Sequence, residues 1–362
     1  MLPGITQKDL DKIRSELDSC TRPLFLFDDD PDGFCSFMLL YRYKKEGHGI
    51  VVKKKPLDSY FIPKVIEYAP DKIFILDIPR LDESFVKQST APIVWIDHHQ
   101  HNPKLPVHVT INPCLKDHNA YVPVSAICCE AVGQDYWLGA LGSISDAYVP
   151  PFLDKVAKEY PDLIPDLNKS MEDFRYNTRF GLVITIVSFF MKDAVSRIKK
   201  IIPVFARLKD PREILDRHNP SMDVVYQSYD MFEKVYLELK KSAESQIRQL
   251  EDRTLIYFEY ENNTLTVTSD LCNELFYHNP DSLVMVARKK DGQLKMSLRY
   301  HGDLLSILEP VVQKLNASGG GHPHACGATV QSKDRDLFLS FMRDHTPSIS
   351  NKAKKAVKKK SK

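Results

Sequence analysis

A chain of 362 residues, 43% hydrophobic and 27% charged, has room for two ordinary cores and is short for three. Its longest apolar run, GLVITIVSFF at 181–190, is half the length a membrane span needs and suits a buried helix, so no membrane partner is expected. The formal net charge of +2 hides a split, because the last twelve residues, NKAKKAVKKKSK, hold seven lysines and no acid and leave the remainder acidic. Seven cysteines, none in a CxxC pair, fit a reducing, cytoplasmic setting, with Cys128 and Cys129 as small buried hydrophobes.

In chain order, MLPGITQKDLDKIRSELDSC reads as an amphipathic helix without an export signal. PLFLFDDD then reads as a strand running into an acidic cluster, and FCSFMLLYRYKK as the helix beyond it. Two more strands, IFILDI at 73–78 and APIVWID at 91–97, each end in or beside an acid. Residues 121–142 read as helical and apolar and deliver Asp146. From Pro150 to about 245, helices are punctuated by Pro161, Pro165, Pro203, Pro211 and Pro220, with a regular charged stretch at 229–250. The chain then turns to β style in TLIYFEYE, TLTVTS, SLVMVARK and LKMSLRY, and ends in a glycine-rich loop and a helix.

The expected fold is therefore α/β, with a parallel-sheet N-terminal domain and a smaller mixed α/β C-terminal domain, and the active site in the cleft between them. The expected bounds are 1–225 for the first domain with its helical closing segment, 226–250 for a connecting helix, 251–345 for the second domain and 346–362 for a basic, disordered tail. That tail suits a polyanion or an acidic partner.

Asp28, Asp30 and Asp32 alternate where a strand gives way to a loop. A solvent-facing turn explains DPDG taken alone, but Asp77, the DHH at Asp97, His98 and His99, and Asp146 repeat the setting. Gathered carboxylates repel unless a cation offsets them. Carboxylate with imidazole suits Mn2+, with Mg2+ as a possible substitute, and two ions about 3.5–4 Å apart would activate water against a phosphate. Asp77, isolated on a central strand, is the candidate bridge. In an extended backbone His98 and His99 face opposite ways, one toward metal and the other toward substrate or an acid; His101 and His108 are weaker candidates. Further on, Gly319, Gly320 and Gly321 precede His322 and let backbone N–H groups approach an oxyanion, and Arg299 offers a donor fork for the same phosphate. His324 is ambiguous. Tyr41, Tyr43, Tyr148 and Phe152 are candidates for a base-stacking track and equally for core.

DDDPDG, Asp77, DHH at 97–99, Asp146, SLR at 297–299 and GGGHPHACG at 319–327 resemble, in order and spacing, the DHH phosphoesterases with a DHH-associated C-terminal domain. Asp28 stands where many members have His, as in RecJ-type nucleases. The resemblance implies metal ligands among Asp28, Asp30, Asp32, Asp77, His98 and Asp146, without deciding which of the first three bind directly. It implies catalytic roles for Asp77, Asp97, His98 and His99, and phosphate binding by Arg299, Gly319, Gly320, Gly321 and His322. The activity so implied is a Mn2+-dependent exonuclease on single-stranded RNA or DNA ends and short oligonucleotides. Two alternatives stand beside it: a phosphodiesterase or phosphatase for cyclic dinucleotides or 3′-phosphoadenosine 5′-phosphate, and a non-catalytic replication or repair adaptor with a protein partner.

Overall fold

The computed structural model describes residues 2–100, 105–167, 170–262 and 265–346. It divides into two compact units, Met1–Tyr229 and Asp230–Lys362. The first opens with helix α1 (Gln7–Asp18), strand β1 (Pro23–Asp28), α2 (Pro31–Lys44), β2 (His48–Val52), α3 (Ile62–Tyr68), β3 (Lys72–Leu76), α4 (Glu83–Gln88), β4 (Ile93–Ile96) and β5 (Val109–Ile111). Helices α5 (Val124–Val132), α6 (Tyr136–Ser145), α7 (Leu153–Glu159), α8 (Met171–Asn177), α9 (Arg179–Met191) and α10 (Val195–Phe205) follow, and α11 (Asp223–Arg248) runs on past the division.

The five strands form an all-parallel sheet in the order β2-β1-β3-β4-β5. All six residues of β1 are buried, as a strand covered on both faces requires. Leu24 and Leu26 join Ile73, Ile75 and Trp95 on one face, beneath Phe61, Val65 and Phe85. Phe25 and Phe27 point the other way, where Phe27 stacks on Phe37 of α2 with ring centroids 4.6 Å apart. Register sets Phe27 beside Leu76, Leu76 beside Ile96 and Ile96 beside Ile111, so the next residues, Asp28, Asp77, Asp97 and Asn112, follow in a row at the carboxyl edge.

Helix α2 starts immediately beyond that edge. Asp30 is its N-cap, accepting from Gly33 N at 2.9 Å, and Pro31 takes the first helical position. The turn is tight enough that a Cβ on Gly33 would meet Asp28 N at 2.7 Å and Asp28 O at 2.9 Å. Gly33→Ala is therefore expected to destabilise the protein by about 1–3 kcal/mol, readable by urea denaturation, because backbone has to move; an unchanged midpoint would contradict this close approach.

Several elements of this unit differ from those the sequence predicts. Strands β2 and β5 went unread, being five and three residues long at the sheet edges, too short for a periodic signal. The 121–142 segment is two helices, because Gly133 (φ 68°) caps α5 in the left-handed region. Pro203 does not end a helix but sits inside α10, two residues from its close, where few later backbone bonds are at stake. GLVITIVSFF is the buried helix α9, and no described helix is long and apolar enough to cross a membrane.

The second unit contains β6 (Leu255–Glu261), α12 (Thr268–His278), β7 (Leu283–Lys290), β8 (Gln293–Arg299), α13 (Leu304–Lys314), β9 (Ser318–His322), β10 (Ala325–Gln331) and α14 (Arg335–His345). Its mixed sheet has the order β6-β7-β8-β10-β9, with only β6 and β7 parallel. One face packs Met285, Ala287 and Leu298 against Leu308, Val311, Phe338 and Met342 of α13 and α14. TLTVTS is not a strand among its described residues: Asn262 Oδ1 accepts from Leu265 N at 2.9 Å, turning the chain, and Thr268 already begins α12. The glycine-rich segment is not a loop but the edge strand β9, hydrogen-bonded to β10.

Candidate metal centre

Carboxylates and imidazoles from four places converge at the carboxyl edge of the first sheet. Three groups have ligand atoms within 4.8 Å of one another: Asp28, Asp30 and Asp77; Asp77, His98 and His99; Asp32, His98 and Asp146. Asp77 and His98 each belong to two of them. His98 Nε2 lies 3.2 Å from Asp77 Oδ1 and 3.6 Å from Asp146 Oδ2. The chain bends at His99 rather than staying extended, so both imidazoles reach the cluster instead of facing opposite ways.

Each ligand is positioned by the fold. Asp77 follows β3 with φ 60°, a left-handed conformation tolerated in Asp better than in most side chains, and its N–H donates to Ile96 O at 3.0 Å. Asp32 is fully buried, and its two oxygens accept from Val124 N (2.8 Å) and Ser125 N (3.0 Å) at the start of α5. Buried Asp97 holds His99, accepting from its backbone N–H at 3.2 Å and meeting Nδ1 at 2.9 Å.

Burial, then the charge of Asp30, pushes the Asp28 carboxyl up to about 8 and that of Asp32 up to about 7. Asp77 and Asp146 are raised by the same two causes, burial first and neighbouring carboxylates second. Burial opposes a charged His99, but the Asp97 hydrogen bond and charge more than offset it, and the imidazole is raised. Asp77 Oδ1 is buried and accepts no hydrogen bond. A site of this kind is held ionised by a hard cation, and oxygen with imidazole donors fits a divalent metal.

Three contributors escaped the sequence reading. Lys55 Nζ donates to Asp28 Oδ2 at 2.6 Å; the signal was KKKP, but it follows the unread strand β2. Tyr121 donates from its hydroxyl to Asp146 O (3.0 Å) and Asp146 Oδ2 (3.3 Å), and its ring packs on His98 with centroids 5.1 Å apart. Asn112 Nδ2 donates to His99 O at 2.9 Å. Other candidates lie elsewhere. His108 precedes β5 at the opposite sheet edge, paired with buried Glu16, to which Lys72 also binds. Tyr41 and Tyr43 sit at the far end of α2, about 20 Å along its axis from Asp30. Phe152 is core against Tyr136. Of the four proposed stacking residues only half-buried Tyr148, two residues past Asp146, belongs to this neighbourhood. His101 and the lysines beyond 346 lie outside the described residues.

The DHH family model, N-terminal domain, matches residues 25–142, and the DHHA1 domain model matches 252–346, together more than half of the chain. The chain belongs to the DHH phosphoesterase superfamily. Members of the DHH family are metal-dependent phosphoesterases, exonucleases such as RecJ among them. No curated protein matches it. Among solved structures it is similar to RecJ from Thermus thermophilus in complex with Mn2+ (15% identity, TM-score 0.66), covering 96% of this chain but 56% of that one. It is also similar to an exonuclease RecJ bound to manganese (14% identity, TM-score 0.58; 96% and 97% covered). A third is the DHH domain of a protein described as a member of a family of ribosomal proteins (15% identity, TM-score 0.64; 93% and 89% covered). At such identities the likeness is one of fold.

In the DHHA1 unit, register sets Arg299 beside Ala325 and Ala325 beside His322, so Arg299 and His322 share a sheet face with Gly320. A Cβ on Gly320 would meet nothing within 4 Å, whereas one on Gly319 would meet Val312 Cγ2 at 3.0 Å and one on Gly321 (φ 147°) would meet Ala325 O at 2.4 Å. The open glycine is thus Gly320. Arg299 Nε donates to Asn273 Oδ1 at 2.6 Å, and His324 Nδ1 lies 3.0 Å from Gly302 O.

Proposed function

We propose that this chain is a phosphodiesterase that trims short single-stranded RNA or DNA from an end, with two Mn2+ ions as its cofactors. The observation that carries the reading is the overlap of ligand groups on Asp77 and His98. Asp28, Asp30 and Asp77 would hold one ion, and Asp32, Asp77, His98 and Asp146 the other, with Asp77 as the bridge. Bound there, divalent ions would supply a water ionised near neutral pH and offset charge on the phosphate under attack. The chain's own groups orient and donate. Asp97 fixes His99 through Nδ1, leaving Nε2 to give a proton to the departing oxygen. Arg299, His322 and the N–H groups around Gly320 would hold phosphate, and the RecJ likeness supports a nucleic-acid substrate.

Product mapping on short RNA and DNA labelled at either end, with Mn2+ supplied, tests this. Stepwise mononucleotide release is expected; intact strands from folded, metal-loaded protein would sink the nuclease reading. Tyr121→Phe keeps the ring on His98 but removes the hydroxyl from Asp146, and is expected to weaken Mn2+ binding about tenfold by calorimetry. Wild-type affinity would remove Tyr121 from the site.

A further inference from the structure

The second unit holds a cavity of about 350 Å³ beside the start of α12, lined by Ser269, Arg288, Lys295, Ser297, Ser318 and Thr329 among others. Register puts Arg288 beside Lys295, Lys295 beside Thr329 and Thr329 beside Ser318, so one row of side chains crosses four strands on one face. Ser297 comes next toward Arg299, and its hydroxyl lies 3.0 Å from that of Ser269 in the first turn of α12. Gly327 opens the floor: a Cβ there would touch only Met296 O, at 3.7 Å.

Two cations and several hydroxyls line this cavity, and no carboxylate or aromatic ring does so among the described residues. Arg288 Nε is buried without a hydrogen-bond partner, a donor left waiting for an acceptor. Such a lining suits phosphate and sugar oxygens and offers a base nothing to stack on. Lys295 stands four residues from Arg299 along β8, about 13 Å away at the rise of an antiparallel strand. Arg299 Nε is held by Asn273, one turn along α12 from Ser269, so the two cations are spaced for different phosphates.

We propose that this cavity is a second phosphate subsite, holding a backbone phosphate of an oligonucleotide more than one nucleotide removed from the phosphate at Arg299 and His322. The proposal rests on the phosphodiesterase reading and deepens it, making the substrate a chain with several phosphates rather than a small phosphodiester.

The test is fluorescence anisotropy with the full chain in EDTA, so that nothing is cleaved, using fluorescein-labelled tetrathymidylate and dithymidylate over a salt series. Wild type is expected to prefer the tetranucleotide, and Lys295→Gln to lower its affinity for that strand about tenfold and flatten the salt slope by about 0.7. Arg288→Gln is expected to act in the same direction. Lys295 is exposed, so its variant folds even where that of Arg288 does not. Wild-type affinity and slope in Lys295→Gln would overturn the subsite. Because binding is read without metal, a protein that binds as expected but cleaves nothing with Mn2+ would support the cavity and count against the phosphodiesterase reading alone.

Discussion

Replacing Asp77 with alanine is expected to lower kcat at least about a thousandfold in the Mn2+ assay, an effect of roughly 4 kcal/mol on the barrier. The size follows from position: among the described residues Asp77 is the one carboxylate grouped both with Asp28 and Asp30 and with His98 and His99, so its loss strips a ligand from two groups at once. Misfolding is separable from this. Asp77 is buried among Asp28, Asp30, Asp32 and Asp146, and removing one like charge relieves repulsion in the metal-free protein. That relief works against the strain of alanine at φ 60°, so the metal-free variant is expected to melt close to wild type. Asp77→Asn, whose side chain also tolerates φ 60°, keeps the shape and removes the charge, and the same loss of activity is expected. Substantial activity in either variant would end the bridging role.

The second large effect is a reversal of the pH dependence of stability by metal. The folded protein holds Asp28 at about 8 and Asp32 at about 7, against about 3.9 for an unfolded aspartate. Between those values the folded state binds more protons than the unfolded one, so the metal-free stability from these groups is greatest below about pH 4 and falls as pH rises toward 8. A divalent ion competes with those protons and binds better as they leave. At a thousandfold excess over Kd it contributes about 4 kcal/mol, on the order of 10 °C in Tm for a unit of this size. Scanning fluorimetry with and without Mn2+ from pH 5.5 to 8 is expected to show a metal-induced shift that grows with pH. A shift that is absent, or flat with pH, would mean that the carboxylates are satisfied without an ion.

Much of the architecture was legible in the sequence because burial on both faces writes itself as continuous apolar strands. PLFLFD, IFIL and IVWI are β1, β3 and β4, each followed within one residue by an acid, and that pattern alone specifies a parallel sheet with polar groups at its carboxyl edge. The short strands β2 and β5 carried too few residues for any period, and with β2 went the significance of Lys55. TLTVTS alternated like a strand but was overruled by the turn at Asn262, and the triple glycine looked like a loop until β10 supplied a partner. The identity of the chemistry-bearing residues was a property of the chain, since hard-metal donors of this kind have few other reasons to recur at strand ends. Their arrangement was tertiary. Strand register placed Asp28, Asp77 and Asp97 in one row, the start of α5 oriented Asp32, and the bend at His99 turned two imidazoles the same way. Tyr121 could enter only there, because a hydroxyl meeting a carboxylate 25 residues away depends on where two separate segments come to rest, which no local pattern encodes.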